Sequence, residues 1–454
     1  MAAIQRARTQ RRPALALCLA AALGGGCSGE INSDAATSSG AHASGGSTAA
    51  LLCPLLRPAP RGEQTDSAPF DGFTLVAPLG SRRVHLIDMA GEEVHRWDTK
   101  EKAGESNYLT SRGTLIRCAE TPDHPTFQDT GGHGGGIFEY GVNGEVLWEF
   151  RWDNESGLQH HDVEELPNGN FLFIAWDRTT RDVALSAGRD PELLEGSEWW
   201  TGAIYEVKPT RPAGGEIVWS WHSRDHLVQN YDASLPGYGD PAEFPGRIDV
   251  NGDRDPKPPS KEESKKLEDQ MRAAGYAGGD DGSDDGDDQG DEESEEELDA
   301  EEAAREAAKK ERKARTKDAD WTHMNAVDYS AELDQIAISV RRFDEVWIID
   351  HGISRDEAKG PAGDLLYRFG NAYAYGMGRW SERRFLGQHN VQWIPEGQIG
   401  AGNLIVFNNG ASPRPWSSVV EWWPPLCEDG SYARLPGAPF GPSQYEWSYQ
   451  AEDV

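Results

Sequence analysis

The chain has 454 residues, 16 Trp, 51 Gly and a formal net charge of -33. That mixture suits many short strands joined by tight turns and argues against a helical bundle. The charge is unevenly spread: 15 of the 23 residues from Asp280 to Glu302 are acidic. Outside the leader no basic patch gathers, which excludes nucleic acid as an expected partner.

Residues 1–27 read as a targeting segment. Arg6, Arg8, Arg11 and Arg12 form a positive n-region, and Pro13 to Leu23 is an apolar run too short for a typical membrane span. It leads to Cys27, which reads as the acylated residue of a lipoprotein signal, although Leu23 stands four residues before it. An ordinary secretory leader is the alternative, and either implies export, periplasmic or at the cell surface. Residues 28–69 follow as a Ser/Gly/Ala-rich tether and approach to the fold. Beyond the leader, Cys53, Cys118 and Cys427 allow one disulfide in an oxidising compartment, with the pairing open.

From about residue 70 to 454 one phrase recurs: Gly, an acid, apolar residues, then an alternating aromatic pair. Its copies are Gly91 to Trp97, Gly144 to Phe150, Gly215 to Trp221 and Gly363 to Phe369, with a weaker one at Tyr445 to Tyr449. Most follow another strand-like phrase, as two outer strands of an antiparallel sheet would. Inner strands lie upstream, as in Asp162 to Ile174 with its Pro-Asn-Gly turn. Four short strands per unit predict an all-β fold, a β-propeller, over a sandwich. Five units begin near Phe73, Ser106, His161, His323 and His389. A five-bladed ring, or a sixth blade that is absent or irregular, both fit. Residues 255–317 interrupt blades three and four as an acidic insertion. It is too poor in apolar residues to fold alone, with a solvated helix over Glu296 to Lys313. Calcium-loop spacing at Asp281 to Glu292 reads as chance, and Asp249, Asn251, Asp253 and Asp255 read as a polar turn before a calcium site. His133, among glycines, reads as mobile.

Three histidine motifs stand apart. His160-His161-Asp162, His323-Met324-Asn325 and Gln388-His389-Asn390 each open an innermost strand, and such strands line a propeller's channel. Histidines from three blades would therefore converge at one mouth. His161 aligns with His389 in the repeat, which puts His161 toward the channel in preference to His160.

These motifs, in order with Ser339-Val340-Arg341, Leu166 to Asn170 and Phe407 to Gly410, resemble the bacterial arylsulfate sulfotransferases from about Phe73 to Tyr449. The resemblance implies a six-bladed propeller that moves a sulfuryl group from a phenolic sulfate to a phenol, without a nucleotide sulfate donor or other cofactor. It implies His389 as the nucleophile that is transiently sulfated, His323, Arg341 and His161 or His160 as catalytic partners, and Asn325 as substrate-binding. Arg341 would grip two sulfuryl oxygens, and protonated His161 and His323 the others. Ping-pong kinetics follow. Trp393 or Tyr329 could hold a phenyl ring, with core packing the commoner role. The chain stops where that family adds a sixth blade, and Arg342 stands where it often has His. The alternatives are a non-catalytic propeller binding sulfated or anionic ligands at the cell surface, and a metal-dependent hydrolase or lyase with histidine ligands. No metal site is expected from the leading reading. The membrane would be reached only through the N-terminal anchor, and the oligomeric state is open.

Overall fold

Each copy of the repeated phrase ends in the outermost strand of an antiparallel sheet of four or five strands. The computed structural model describes residues 3–6, 53, 55–56, 71–121, 126–127, 131–256, 306–411, 414 and 416–450. Among them are five such sheets, the blades of a propeller. Blade one runs from Thr74–Ala77 to Glu93–Asp98, and the backbone of Ala3–Arg6 lies along its inner edge. Blade two spans Ala103–Leu109 to Val146–Arg151. Blade three spans Gly157–Glu165 to Gly215–His222 and gains a short strand, Asp153–Asn154. Blade four spans Met324–Ser330 to Tyr367–Phe369, and blade five Gln388–Trp393 to Trp447–Tyr449. The sandwich alternative is thus excluded. Cys27 lies outside the described residues, and among these no helix is long and apolar enough to cross a membrane.

The core sits between blades, because strand alternation sends successive side chains to opposite faces. In the strand Phe171–Thr180, Phe171, Phe173 and Ala175 pack with blade two. Leu172 and Ile174 on the other face pack with blade four. Among the described residues four such layers of apolar side chains, each shared by two sheets, join blades one to two, two to three, three to four and four to five. Roughly 25 cal/mol accrues per Å² of apolar surface so buried.

The repeat's first aromatic position adds a polar stitch. Trp148 donates its indole N–H to Gly214 O at 2.9 Å, Trp219 to Ile353 O at 3.0 Å, and the Tyr367 hydroxyl to Gly441 O at 2.6 Å. In the first copy His95 fills this position, with Nε2 2.9 Å from Val142 O. Every acceptor lies in the outer connection of the next blade. The phrase is thus a blade-to-blade connector, with an aromatic body for the core and a polar tip for the neighbour.

Cys53 is bonded to Cys427, 374 residues away in blade five, and Cys118 is buried as a free thiol. Leu56 N–H donates to Leu426 O at 2.9 Å beside the disulfide. Part of the expected tether, at Cys53 and Leu56, is therefore docked on the last blade.

The insertion is fastened at both ends. Residues 306–315 are helical and mostly exposed. Ser197 N–H donates to Arg315 O at 2.8 Å and Gly196 N–H to Lys317 O at 3.0 Å. On the near side Arg189 pairs with Asp253 at 2.7 Å, and Asn251 accepts the Asp190 N–H at 2.8 Å. Asp249 accepts the N–H of Asn251 at 2.9 Å. The alternating acids there are turn caps and ion-pair partners, as a polar turn requires. The calcium-spaced run Asp281 to Glu292 lies outside the described residues.

Candidate active site

The innermost strands of blades two to five each break register once: between Ala103 and Asn107, Gln159 and Val163, Met324 and Ala326, and His389 and Gln392. A bulge bends its strand and re-aims the side chains around it. Here the bulges contain or adjoin every histidine singled out in the sequence. His161 (φ 55°) and His323 (φ 46°) are left-handed, and so is Asn390 (φ 57°) beside His389. That conformation is uncommon for residues with a Cβ and persists only where the surroundings enforce it.

Neighbouring blades do the enforcing. The Asp162 carboxylate accepts from the Tyr108 hydroxyl of blade two at 2.7 Å, its own blade's Val163 N–H at 2.9 Å and Val327 N–H of blade four at 3.0 Å. His161 N–H donates to Gly132 O at 3.0 Å. A Cβ on Gly132 would stand 1.9 Å from the His161 ring, so only glycine lets the imidazole lie there. His133, expected to be mobile, instead pairs by backbone with His160.

The structure brings His161 and His323 together, with ring centroids 4.8 Å apart. His160 is turned the other way and stacks on Trp176 at 3.9 Å, while its Nδ1 lies 2.6 Å from His161 Nδ1. Arg341 begins where its strand ends, and its N–H donates to His323 O at 3.1 Å. Its side chain passes over Gly387, where an added Cβ would lie 3.9 Å from Nε.

Three motifs meet at one carbonyl. Asn325 Nδ2 donates to Gln388 O at 2.8 Å and Ser339 Oγ to the same oxygen at 3.3 Å. The Gln388 amide donates to Val340 O and Glu345 O, at 3.1 and 2.8 Å. The residue before His389 is thus pinned from blade four. Asn325, expected to bind substrate, spends its amide N–H here, and its buried Oδ1 has no hydrogen-bond partner among the described residues.

His389 Nδ1 lies 2.9 Å from Gly387 O and 3.0 Å from Asn409 Nδ2. A proton on Nδ1, donated to the carbonyl, leaves the lone pair on Nε2. Burial, then the charges of Arg341 and His323, push the His389 pKa down to about 3, so the ring is neutral at ordinary pH. His161 is lowered by burial and by His323, His160, His389 and Arg341. His323 is lowered by burial and by Arg341 and Arg342, against Asp320. Both histidines are therefore held toward the neutral form, a change from the protonated pair expected, and Arg341 supplies the fixed positive charge.

Sequence reasoning missed Asp320 and Trp176. Asp320, three residues before His323, hydrogen-bonds its Nδ1, and that i,i−3 spacing was the available signal. Trp176 donates to the other Asp320 oxygen at 2.9 Å. Trp393 packs in the core of blades four and five, and the Tyr329 hydroxyl is bound to Asp334 at 2.8 Å. The aromatic ring against the histidines is instead Trp176, 3.9 Å from His160 and 6.3 Å from His161, and it packs with Trp200 and Phe127.

Among known proteins, a family model described as Arylsulfotransferase (ASST) matches residues 64–415. None of the curated proteins compared with the chain matches it. Similar solved structures include Kuenenia stuttgartiensis hydrazine synthase, at 12% identity over 74% of this chain and 65% of that one, with a TM-score of 0.36. Another is the β-propeller domain of Myceliophteria thermophila Cps50 (Swd1), at 11% identity over 84% and 69%, with a TM-score of 0.35. The chain spans less than two thirds of the hydrazine synthase chain.

Proposed function

This chain belongs to the arylsulfotransferase (ASST) family, and we propose that it transfers a sulfuryl group from a phenolic sulfate ester to a phenol through a sulfated His389. The observation that carries this reading is the neutral, lone-pair-bearing His389 beside Arg341, on a backbone held from blade four.

Sulfuryl transfer, like phosphoryl transfer, asks the protein mainly for alignment and charge stabilisation. In the first half-reaction His389 Nε2 forms a bond to sulfur as the ester's S–O bond breaks and the phenolate leaves. In the second the acceptor's oxygen bonds to sulfur and the N–S bond breaks, restoring neutral His389. Arg341 forks to two of the three equatorial oxygens. The anionic ester favours the protonated forms of His161 and His323, which then supply N–H donors to the rest. No nucleotide or metal is required by these steps. Export to an oxidising compartment, anchored at Cys27, completes the reading and is supported by the Cys53–Cys427 disulfide.

The test is nitrophenol release from 4-nitrophenyl sulfate by protein lacking the leader. Turnover should depend on added phenol and vanish in His389→Ala with folding retained. A well-folded protein silent across several phenolic sulfates, yet binding them, would instead support a ligand-binding propeller.

A further inference from the structure

His323 is held by more than its own strand. Its Nδ1 is hydrogen-bonded to Asp320 Oδ2, and Asp320 Oδ1 accepts the Trp176 indole N–H from blade three at 2.9 Å. The backbone on either side of Asp320 is tied to the same blade: Trp200 N–H donates to Ala319 O at 2.7 Å, and Trp321 N–H to Trp200 O at 3.1 Å. The Asp320 side chain is 8% exposed and that of His323 4%. A buried carboxylate fixed by two donors and two backbone bonds is a rigid acceptor.

We propose that Asp320 is a positioning residue for sulfuryl transfer, orienting His323 and fixing its tautomer so that His323 Nε2 carries the proton between the two phenols. The proposal rests on the transferase reading above. With Nδ1–H committed to the carboxylate, a neutral His323 has its lone pair on Nε2. The ring is adjacent to His161, and the charges facing it are Asp320, Arg341 and Arg342, with His160 and His389 beyond. Arg341 and Arg342 oppose an imidazolium and Asp320 alone favours one. Asp320 itself is held well below the usual carboxylate range by His323 and Arg342 despite burial, so it stays ionised throughout.

The proton balance closes. Binding of the anionic ester draws a proton from solvent onto His323 Nε2; in the first half-reaction the S–O bond of the donor breaks, His389 bonds to sulfur, and the departing phenolate takes that proton, leaving His323 neutral. In the second the acceptor phenol gives its proton to His323 Nε2 as its oxygen bonds to sulfur and the N–S bond breaks. An aspartate that orients and stabilises an imidazolium without taking its proton acts in the same way in serine hydrolases.

The experiment compares phenyl sulfate, whose phenolate needs a proton to leave, with 4-nitrophenyl sulfate, whose phenolate does not. For Asp320→Asn in the full chain, kcat on phenyl sulfate should fall about 10²- to 10⁴-fold with KM little changed. The single-turnover release of nitrophenol should fall far less. Trp176→Phe keeps a ring against His160, removes one donor to Asp320, and should shift the ratio of the two rates in the same direction. It serves as the test if Asp320→Asn does not fold. Equal losses on both donors, or no loss, would overturn the role of Asp320 while leaving the transferase reading intact. A wild-type protein inactive on both donors would overturn the transferase reading itself.

Discussion

His351 closes the seam between blades three and four, and its effect on stability should depend on pH in a defined direction. Its Nδ1 lies 2.7 Å from Asp334 Oδ1, and its Nε2 lies 3.1 Å from Glu206 Oε2 in the third strand of blade three. Glu206 also accepts from Asn170 at 2.5 Å, and the His351 ring lies 4.9 Å from that of Trp219. A hydrogen bond to a charged group nets about 1.5–3 kcal/mol, and the Glu206 contact is buried enough to count in full. The Asp334 side chain is 50% exposed, so that contact adds only about 0–1 kcal/mol. His351→Gln should therefore cost about 2–4 kcal/mol where all three groups are charged.

The pH window follows from the shifts. Burial disfavours the charged ring, but Glu206 and Asp334 outweigh it and raise the His351 pKa. The stability it adds is complete below the unfolded value of about 6.5 and is lost as pH rises through the folded one. Glu206 and Asp334 are lowered by His351 and their other donors against burial, so their share is complete above about 4.3 and is lost as pH falls. Urea unfolding of wild type and His351→Gln should differ most near pH 5.5, with the gap shrinking toward about 1 kcal/mol by pH 9. A gap independent of pH, or one that widens as pH rises, would refute the ion-pair account.

Three other outcomes are expected. Asp162→Ala removes the acceptor shared by the Tyr108 hydroxyl and two backbone N–H groups, and should lower stability by about 2–5 kcal/mol in urea unfolding; an unchanged midpoint would remove the three-blade clamp. Cys427→Ser should lower the unfolding free energy by about 2–5 kcal/mol, while Cys118 resists alkylation until the protein unfolds. Arg341→Lys keeps the charge but loses the fork, so kcat should drop about 10²-fold with the fold intact, as read from steady-state nitrophenol release.

The parts of the fold legible in the sequence are those that repeat. Strand order, blade spacing and the aromatic pair could be read because every blade solves the same packing problem with the same residue types. What the first aromatic does was not legible, since Trp219 and its acceptor Ile353 O are 134 residues apart, across the insertion. The histidines stood out because they open equivalent strands. Their orientation depends on a bulge in each strand and on three left-handed residues, which no periodicity reports. His133 looked mobile for its glycine neighbours, yet those glycines allow the loop to lie against His160 and His161. Asp320 passed unnoticed because Trp176, which fixes it, lies 144 residues earlier.

The central claim is that His389 carries the sulfuryl group between two substrates. The most direct measurement mixes the protein with excess 4-nitrophenyl sulfate and no acceptor, quenches in alkali where a sulfated imidazole persists, and maps peptides by mass. The account predicts one sulfuryl group on the peptide holding His389, removed when phenol is added before the quench. An unmodified His389 peptide alongside undiminished transfer to phenol would contradict it.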